Sequence, residues 1–356
     1  MTPFYTDQGG APAGPDRRCF TVAVRVVIAP DKFKGTATAR AVARSIADRL
    51  WELGHDTVEL AMADGGEGFL DVLGGANRTT TVTGPSGRPV EAGWRLSKRV
   101  AVIEMAAASG LDLVGGAEGN DPVDATTAGT GELIALAVES GARRVLVGVG
   151  GSATTDGGLG ALKALYPPQR LRGVELVVAC DVRTRFVDAA AVFGPQKGAS
   201  PTQVKLLTRR LERLAQVFLD ESGVDVQALE GSGAAGGLAG GLASVGAELV
   251  SGFDVVADEV ALDEHLEGAD LVVTGEGFLD DESFDGKVVG GVASLAEAVG
   301  VPCLAVVGEV VEPLPPLPSG LTVVSLTERF GAEESMARPG RCASQVVVDH
   351  LAGLTL

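Results

Sequence analysis

Four times along this chain a run of β-branched and apolar residues leads into an acid. VAVRVVIAP at 22–30 precedes Asp31, TVELAMA at 57–63 precedes Asp64, GVELVVACDV at 173–182 carries Asp181, and DLVVTGEG from 270 carries Glu276. Short β-branched runs bounded by Gly, Pro and acids read as buried strands. After the first of them, Ala39, Val42, Ile46 and Leu50 recur at helical spacing, with Thr36 as the expected N-cap. Further strands are expected at 100–104, 144–149, from 302 and from 321, with helices at 202–220, 287–299 and 341–352 and a loop-plus-helix unit at 124–140. Strand and helix alternating in this way build a doubly wound parallel sheet, whose ligands lie beyond the carboxyl ends of the strands. The four acids fall at that edge.

A chain of 356 residues exceeds one typical core, so two α/β domains are expected. The N- and C-terminal thirds share a style that the Gly- and Ala-rich middle lacks, which suggests one domain built from both ends with the middle inserted. Residues 1–21 read as a disordered tail. The formal net charge of −18 argues against nucleic acid and anionic membrane surfaces as partners. An anionic substrate would then need local compensation by lysine, backbone N–H groups or a divalent cation. Cys19, Cys180, Cys303 and Cys342 lie far apart without CxxC spacing, so a disulfide framework or zinc site is not expected. No signal peptide or apolar run of membrane-spanning length is evident, and the reading is a cytoplasmic protein, with a homodimer left open. His55, His265 and His350 sit in no motif and read as surface residues.

Several loops suit phosphate. GVGGSATTDGG at 148–158 runs from an apolar strand into Gly150, Gly151, Ser152 and Thr154, then into the small-residue helix LGALKAL. N–H groups and hydroxyls at a helix start can hold phosphate oxygens, although a tight turn of small residues explains such a loop equally well. DGGEG at 64–68 offers Gly65, Gly66 and Gly68, and GTGEL at 129–133 offers Thr130 and Gly131 ahead of a helix. No GxxxxGK[ST] occurs, so P-loop chemistry is unsupported. GSGAAGG at 231–237, which includes Gly233, matches GxGxxG, and Asp254 lies near the distance of a ribose-binding acid. The preceding SGVDVQALE is a poor strand, however, so a dinucleotide site lacks its context.

Converging carboxylates at a strand edge suit Mg²⁺ and a general base. In phosphoryl transfer from ATP the metal neutralises phosphate charge, a carboxylate orients or deprotonates the attacking hydroxyl, and a lysine stabilises the transferred group. Asp31, Asp64 and Glu276 are the candidate metal ligands, and Asp181, Lys34 and Lys287 the candidate catalytic groups. Lys197 is a further phosphate or substrate contact. A small hydroxy acid is the expected acceptor.

Assembled in order, APDKFKGT (29–36), MADGGEG (62–68), IEMAAASGL (103–111), TTAGTGELI (126–134), GVGGSATTDGG, ACDV (179–182), VFGPQKGAS (192–200), GSGAAGGL (231–238) and TGEG (274–277) resemble the bacterial type I glycerate kinase family. That resemblance implies ATP-dependent, Mg²⁺-assisted phosphorylation of D-glycerate, typically at the 2-hydroxyl. It also implies a flavodoxin-like domain of residues 22–68 plus 266–356, with a second α/β domain of residues 69–265 inserted. The chain departs from the family pattern at Phe278, where an arginine is usual, at Glu282, where a glutamine is usual, and across Thr184-Arg185-Phe186. These departures keep two alternatives open: a kinase for a related hydroxy acid, and a non-catalytic nucleotide- or metabolite-binding homologue.

Overall fold

The computed structural model describes residues 23–33 and 35–354, so the expected tail of residues 1–21 and the position of Lys34 lie outside the described residues. In chain order the N-terminal part supplies β1 (Arg25–Ile28) and β2 (Asp56–Glu59). The middle supplies β3 (Arg78–Thr83), β4 (Pro89–Ser97), β5 (Val100–Glu104), β6 (Arg144–Gly148), β7 (Glu175–Ala179) and β8 (Glu248–Val250). The C-terminal part supplies β9 (Leu271–Thr274), the short β10 (Phe278–Leu279), β11 (Cys303–Val307), the short β12 (Glu309–Val310) and β13 (Leu321–Ser325).

One sheet has the order β2-β1-β9-β11-β13 with every pairing parallel. Counted within the sheet this is 2-1-3-4-5, the flavodoxin-like order. Val26, Val27 and Ile28 of β1 are completely buried, as a central parallel strand covered on both faces requires. The second sheet, β3 to β8 in sequential order, is mixed rather than wholly parallel. β5 to β8 run parallel, while β3, β4 and β5 form an antiparallel meander at one edge. Of that meander β5 was expected from the sequence, whereas β3 and β4 were not legible as strands, because their Thr- and Arg-bearing residues are largely exposed. Its anchor is Trp94, buried, with its indole N–H donating to Thr80 Oγ1 at 3.0 Å.

An apolar layer joins the two sheets. Val27 and Val272 of the first and Leu146 and Val177 of the second pack on one cluster with Phe69, Phe253, Val256 and Val292, which lie on short helices between them. Each such buried side chain contributes roughly 1.5–3 kcal/mol. The carboxyl ends of both sets of parallel strands are thereby held close together, and this positions the site.

Local chemistry corrects two expected details. Thr36 does not cap the helix Ala39–Glu52. Thr38 does, its side chain accepting from Ala41 N at 3.2 Å, while Thr36 Oγ1 donates to Phe33 O. The 202–220 helix extends over Pro201–Ser222 under a Ser200/Gln203 capping box, and Leu206 faces solvent instead of joining Leu207, Leu211 and Phe218 in the packed face. The three histidines are half-buried rather than freely exposed, and none lines the cavities described below.

Candidate active site

Asp31 follows β1 by three residues, Glu276 follows β9 by two, and Asp181 follows β7 by two, so carboxylates from both sheets meet across one gap. The backbone fixes them: Asp31 N–H donates to Gly275 O at 2.8 Å, and Asp181 Oδ1 accepts from Gly252 N at 3.1 Å. Asp64 sits in the loop after β2, where its Oδ1 accepts from Gly66 N at 3.1 Å. That loop is wedged against the second sheet. A Cβ on Gly65 would stand 2.8 Å from Ala179 O and one on Gly150 2.5 Å from Gly66 Cα, and Gly65 also has a φ of +85°. These two glycines are needed for the loops to approach one another at all.

A cation of the APDKFKGT motif other than the expected Lys34 sits among the acids. Lys32 Nζ lies 3.7 Å from Asp31 Oδ1 and 3.5 Å from Asp64 Oδ1. Burial works against its charge, but Asp31, Asp64 and Glu67 outweigh that and raise its pKa. The acids feel the reverse. Burial, then repulsion from Asp64, pushes Asp181 up to about 8, with the Gly252 N–H and Lys32 only partly offsetting this. Asp31 is raised to about 6 by burial and by Asp64 against the pull of Lys32. Burial also lifts Glu276 to about 7, with Asp31 adding repulsion and Ser283 and Lys287 opposing it. Lys287 is raised in turn, since its salt bridge to Glu282 Oε2 at 3.0 Å and the nearby Asp280 and Glu276 overcome its partial burial. Asp31, Asp64 and Asp181 repel one another around Lys32, and Glu276 is repelled by Asp31, so the centre carries the crowded negative charge that accumulates at functional sites.

Two cavities flank this centre. One, of about 550 Å³, is lined by Asp31, Lys32, the turn at 35–38, Met62, Glu67 and Gly68. The other, of about 520 Å³, is lined by Gly65, Gly150, Gly151, Ser152, Asp181, Lys197 and Ala235 among others. Lys197 is almost fully buried, its Nζ donating to Ser152 Oγ and to Thr154 O, each at 2.7 Å.

Asp31, Asp64, Asp181, Glu276, Gly65, Gly66, Gly68, Gly150, Gly151, Ser152 and Lys197 therefore gather at or beside the gap, and Thr154 adjoins it through its carbonyl. Three sequence-expected contacts do not. Thr130 is buried in the helix Ala128–Glu139, its hydroxyl sharing a hydrogen bond with Ser109. Gly131 serves helix packing, because a Cβ there would stand 2.4 Å from Ala161 O. Gly233 packs against the backbone of Arg185. The GSGAAGG segment follows turns rather than a strand and lodges against Thr154, Thr155 and Phe186, so its glycines serve close packing and not a dinucleotide. The loops that carry the departures from the family pattern are bridged: Arg183 Nη2 lies 2.7 Å from Asp285 Oδ1, linking the loop after β7 to the loop after β10.

The sequence pattern of the glycerate kinase family matches residues 26–166 and 167–347. The chain belongs to the glycerate kinase family. Among relatives, glycerate 2-kinase of Escherichia coli K12 is 40% identical, covering 81% of this chain and 86% of that protein. Glycerate kinase of Bacillus subtilis 168 is 38% identical over 81% and 85% respectively. A crystal structure described as glycerate kinase 2 from Salmonella typhimurium LT2 superposes with a TM-score of 0.79 at 35% identity, covering 94% of this chain and all of that one.

Within a glycerate kinase, the acid centre can be weighed as a cation site. Among the described residues no three acid, His or Cys side chains form a ready metal cage. Mg²⁺ rarely asks for one, since it takes one or two carboxylates and completes its shell with water and substrate phosphate. Glu276 Oε1 is buried with no hydrogen-bond partner, and the acids beside it repel one another. A buried carboxylate oxygen without a partner, beside acids that repel one another, fits a hard divalent cation. No described helix is long and apolar enough to cross a membrane.

Proposed function

We propose that this chain transfers the γ-phosphoryl group of ATP to the 2-hydroxyl of D-glycerate at the centre formed by Asp31, Lys32, Asp64, Asp181 and Glu276. The observation that carries the reading is the convergence of these groups between two cavities, one for each substrate. Asp31, Asp64 and Glu276 would hold Mg²⁺. When bound, that ion neutralises charge on the β- and γ-phosphoryl oxygens. Asp181 borders the second cavity and accepts the hydroxyl proton as the new O–P bond forms, its pKa near neutrality suiting a general base. Lys32 offsets negative charge where phosphoryl oxygens and carboxylates come together. Lys287, adjacent to Glu276, reaches the same region once it leaves Glu282. Lys34 as a catalytic group and Lys197 as a phosphate or substrate contact belong to this reading too.

The arrangement also supports a division into residues 22–68 plus 266–356 and an inserted unit of 69–265, since the strands of each sheet come from those segments. A cytoplasmic homodimer completes the reading, and light scattering on purified protein tests the assembly. A second reading, phosphorylation of another small hydroxy acid, is favoured by the Lys287–Glu282 salt bridge, which occupies a cation otherwise free for an anionic substrate. Turnover across a panel of hydroxy acids with ATP and Mg²⁺ separates the two. D-Glycerate as the best acceptor supports the first reading, and no turnover with it overturns that reading.

A further inference from the structure

The cavity on the Asp181 side is lined by a lysine that makes no salt bridge among the described residues. Lys197 is 3% exposed, and among the described residues no carboxylate lies in salt-bridge range of its Nζ, which meets only Ser152 Oγ and Thr154 O. Lysines this deeply buried are rare unless paired. The Phe193 ring, centred 5.9 Å from Nζ, is its other near neighbour. The ionisable groups that face it are Asp156 in the Ser152 loop and Asp112, Cys180 and Asp181 around the cavity. Ser152 and Lys197 line one cavity together with Gly151 and Asp181, so a small planar group in it can reach both the ammonium and the hydroxyl.

Building on the kinase reading above, we propose that Lys197 and Ser152 form the receptor for the carboxylate of the acceptor acid, and that the acceptor binds with uptake of a proton. One ammonium and one hydroxyl suit a small monoanion, whereas a polyphosphate finds Lys32 in the other cavity. An acid of two or three carbons seated on Lys197 presents its hydroxyl within the same cavity as Asp181. In the free protein, burial lowers Lys197 to about 7, with only Asp156 opposing it. At pH 8 the amine is then mostly neutral, and an arriving carboxylate restores its charge by supplying the missing counter-ion. The uptake vanishes below pH 6, where the free lysine already carries its proton.

Calorimetric titration of the full chain with D-glycerate reads this directly, at pH 8 in Tris and in HEPES and at pH 6 in MES and in bis-Tris, because the ionisation enthalpies of the paired buffers differ. The expected result is uptake of roughly 0.5–1 proton per glycerate bound, falling toward zero at pH 6. Lys197→Met should abolish the uptake and raise the glycerate KM on the order of 100-fold with the ATP KM little changed, while Ser152→Ala should raise it about 10-fold and keep the uptake. Absence of uptake in the wild-type chain overturns the inference whatever the variants do, so a misfolded Lys197→Met leaves the test intact. An unchanged glycerate KM in folded Lys197→Met also overturns it. If the wild type binds glycolate or lactate with proton uptake yet phosphorylates no glycerate, the kinase reading fails and the carboxylate receptor stands.

Discussion

Replacing Asp181 with asparagine should stabilise the folded chain at alkaline pH while removing its activity. In the folded protein burial and the neighbouring Asp64 and Asp31 raise this carboxyl from 3.8 to about 8. A group raised on folding favours the folded state fully below its unfolded pKa of 3.8, and that favourable contribution is lost as pH rises through about 8. The rise is about four pH units. At about 1.4 kcal/mol per unit this bounds the cost of ionisation above pH 8 at about 6 kcal/mol, and solvent entry brings the measurable part to about 2 kcal/mol. Asparagine keeps an oxygen for the Gly252 N–H, so the local fold retains its hydrogen bond. Urea denaturation at pH 5 and pH 8.5 reads the effect: Asp181→Asn should gain about 2 kcal/mol over wild type at pH 8.5 and much less at pH 5. Loss of the general base should lower kcat by 10²- to 10⁴-fold at saturating substrates. A variant destabilised at both pH values would mean that the carboxylate is structural, and unchanged turnover would remove it from the chemistry.

Three further outcomes follow from the same geometry. Lys32→Met removes the cation 3.5 Å from Asp64, so turnover should fall at least about 100-fold and the acid limb of the pH–rate profile should move to higher pH; an unmoved limb would contradict the electrostatics. Gly65→Ala places a Cβ 2.8 Å from a carbonyl oxygen at a φ of +85°, so a loss of about 2–3 kcal/mol in denaturation is expected, and an unaltered midpoint would show that the loop yields. Mg²⁺ at about ten times its Kd should stabilise the chain by about 1.4 kcal/mol at pH 8.5, visible as a Tm rise of order 2 °C, and by less at pH 5, where Asp31 and Glu276 hold protons. An equal rise at both pH values would separate the cation from these carboxylates.

The strand edges and their acids were legible because β-branched runs such as VVI and LVV have few alternatives to a buried parallel strand, and an acid after such a run lands at its carboxyl end. Lys32 was not legible. In DKFK it stands next to Asp31, and what brings it to Asp64 is long-range: Phe33 is buried, and Asp31 is tied to Gly275 across the sheet. Glycine loops were ambiguous for a related reason. Close approach to a ligand and close approach to another loop demand the same residue, so Gly131 and Gly233 looked like phosphate contacts until their neighbours proved to be Ala161 and Arg185. The antiparallel meander at β3 and β4 was missed because half-exposed threonines and arginines blur the two-residue alternation that marks a strand. The Arg183–Asp285 bridge joins segments that no local pattern connects.

The central claim is that the acids around Lys32 transfer phosphoryl to D-glycerate. ADP formation by the purified chain with ATP, Mg²⁺ and D-glycerate, combined with ³¹P and ¹³C NMR of the product, tests it most directly. ADP release should depend on glycerate, stop with EDTA, recover with added Mg²⁺, and yield 2-phosphoglycerate. ADP release that ignores glycerate, or a product phosphorylated at the 3-hydroxyl, would contradict the account.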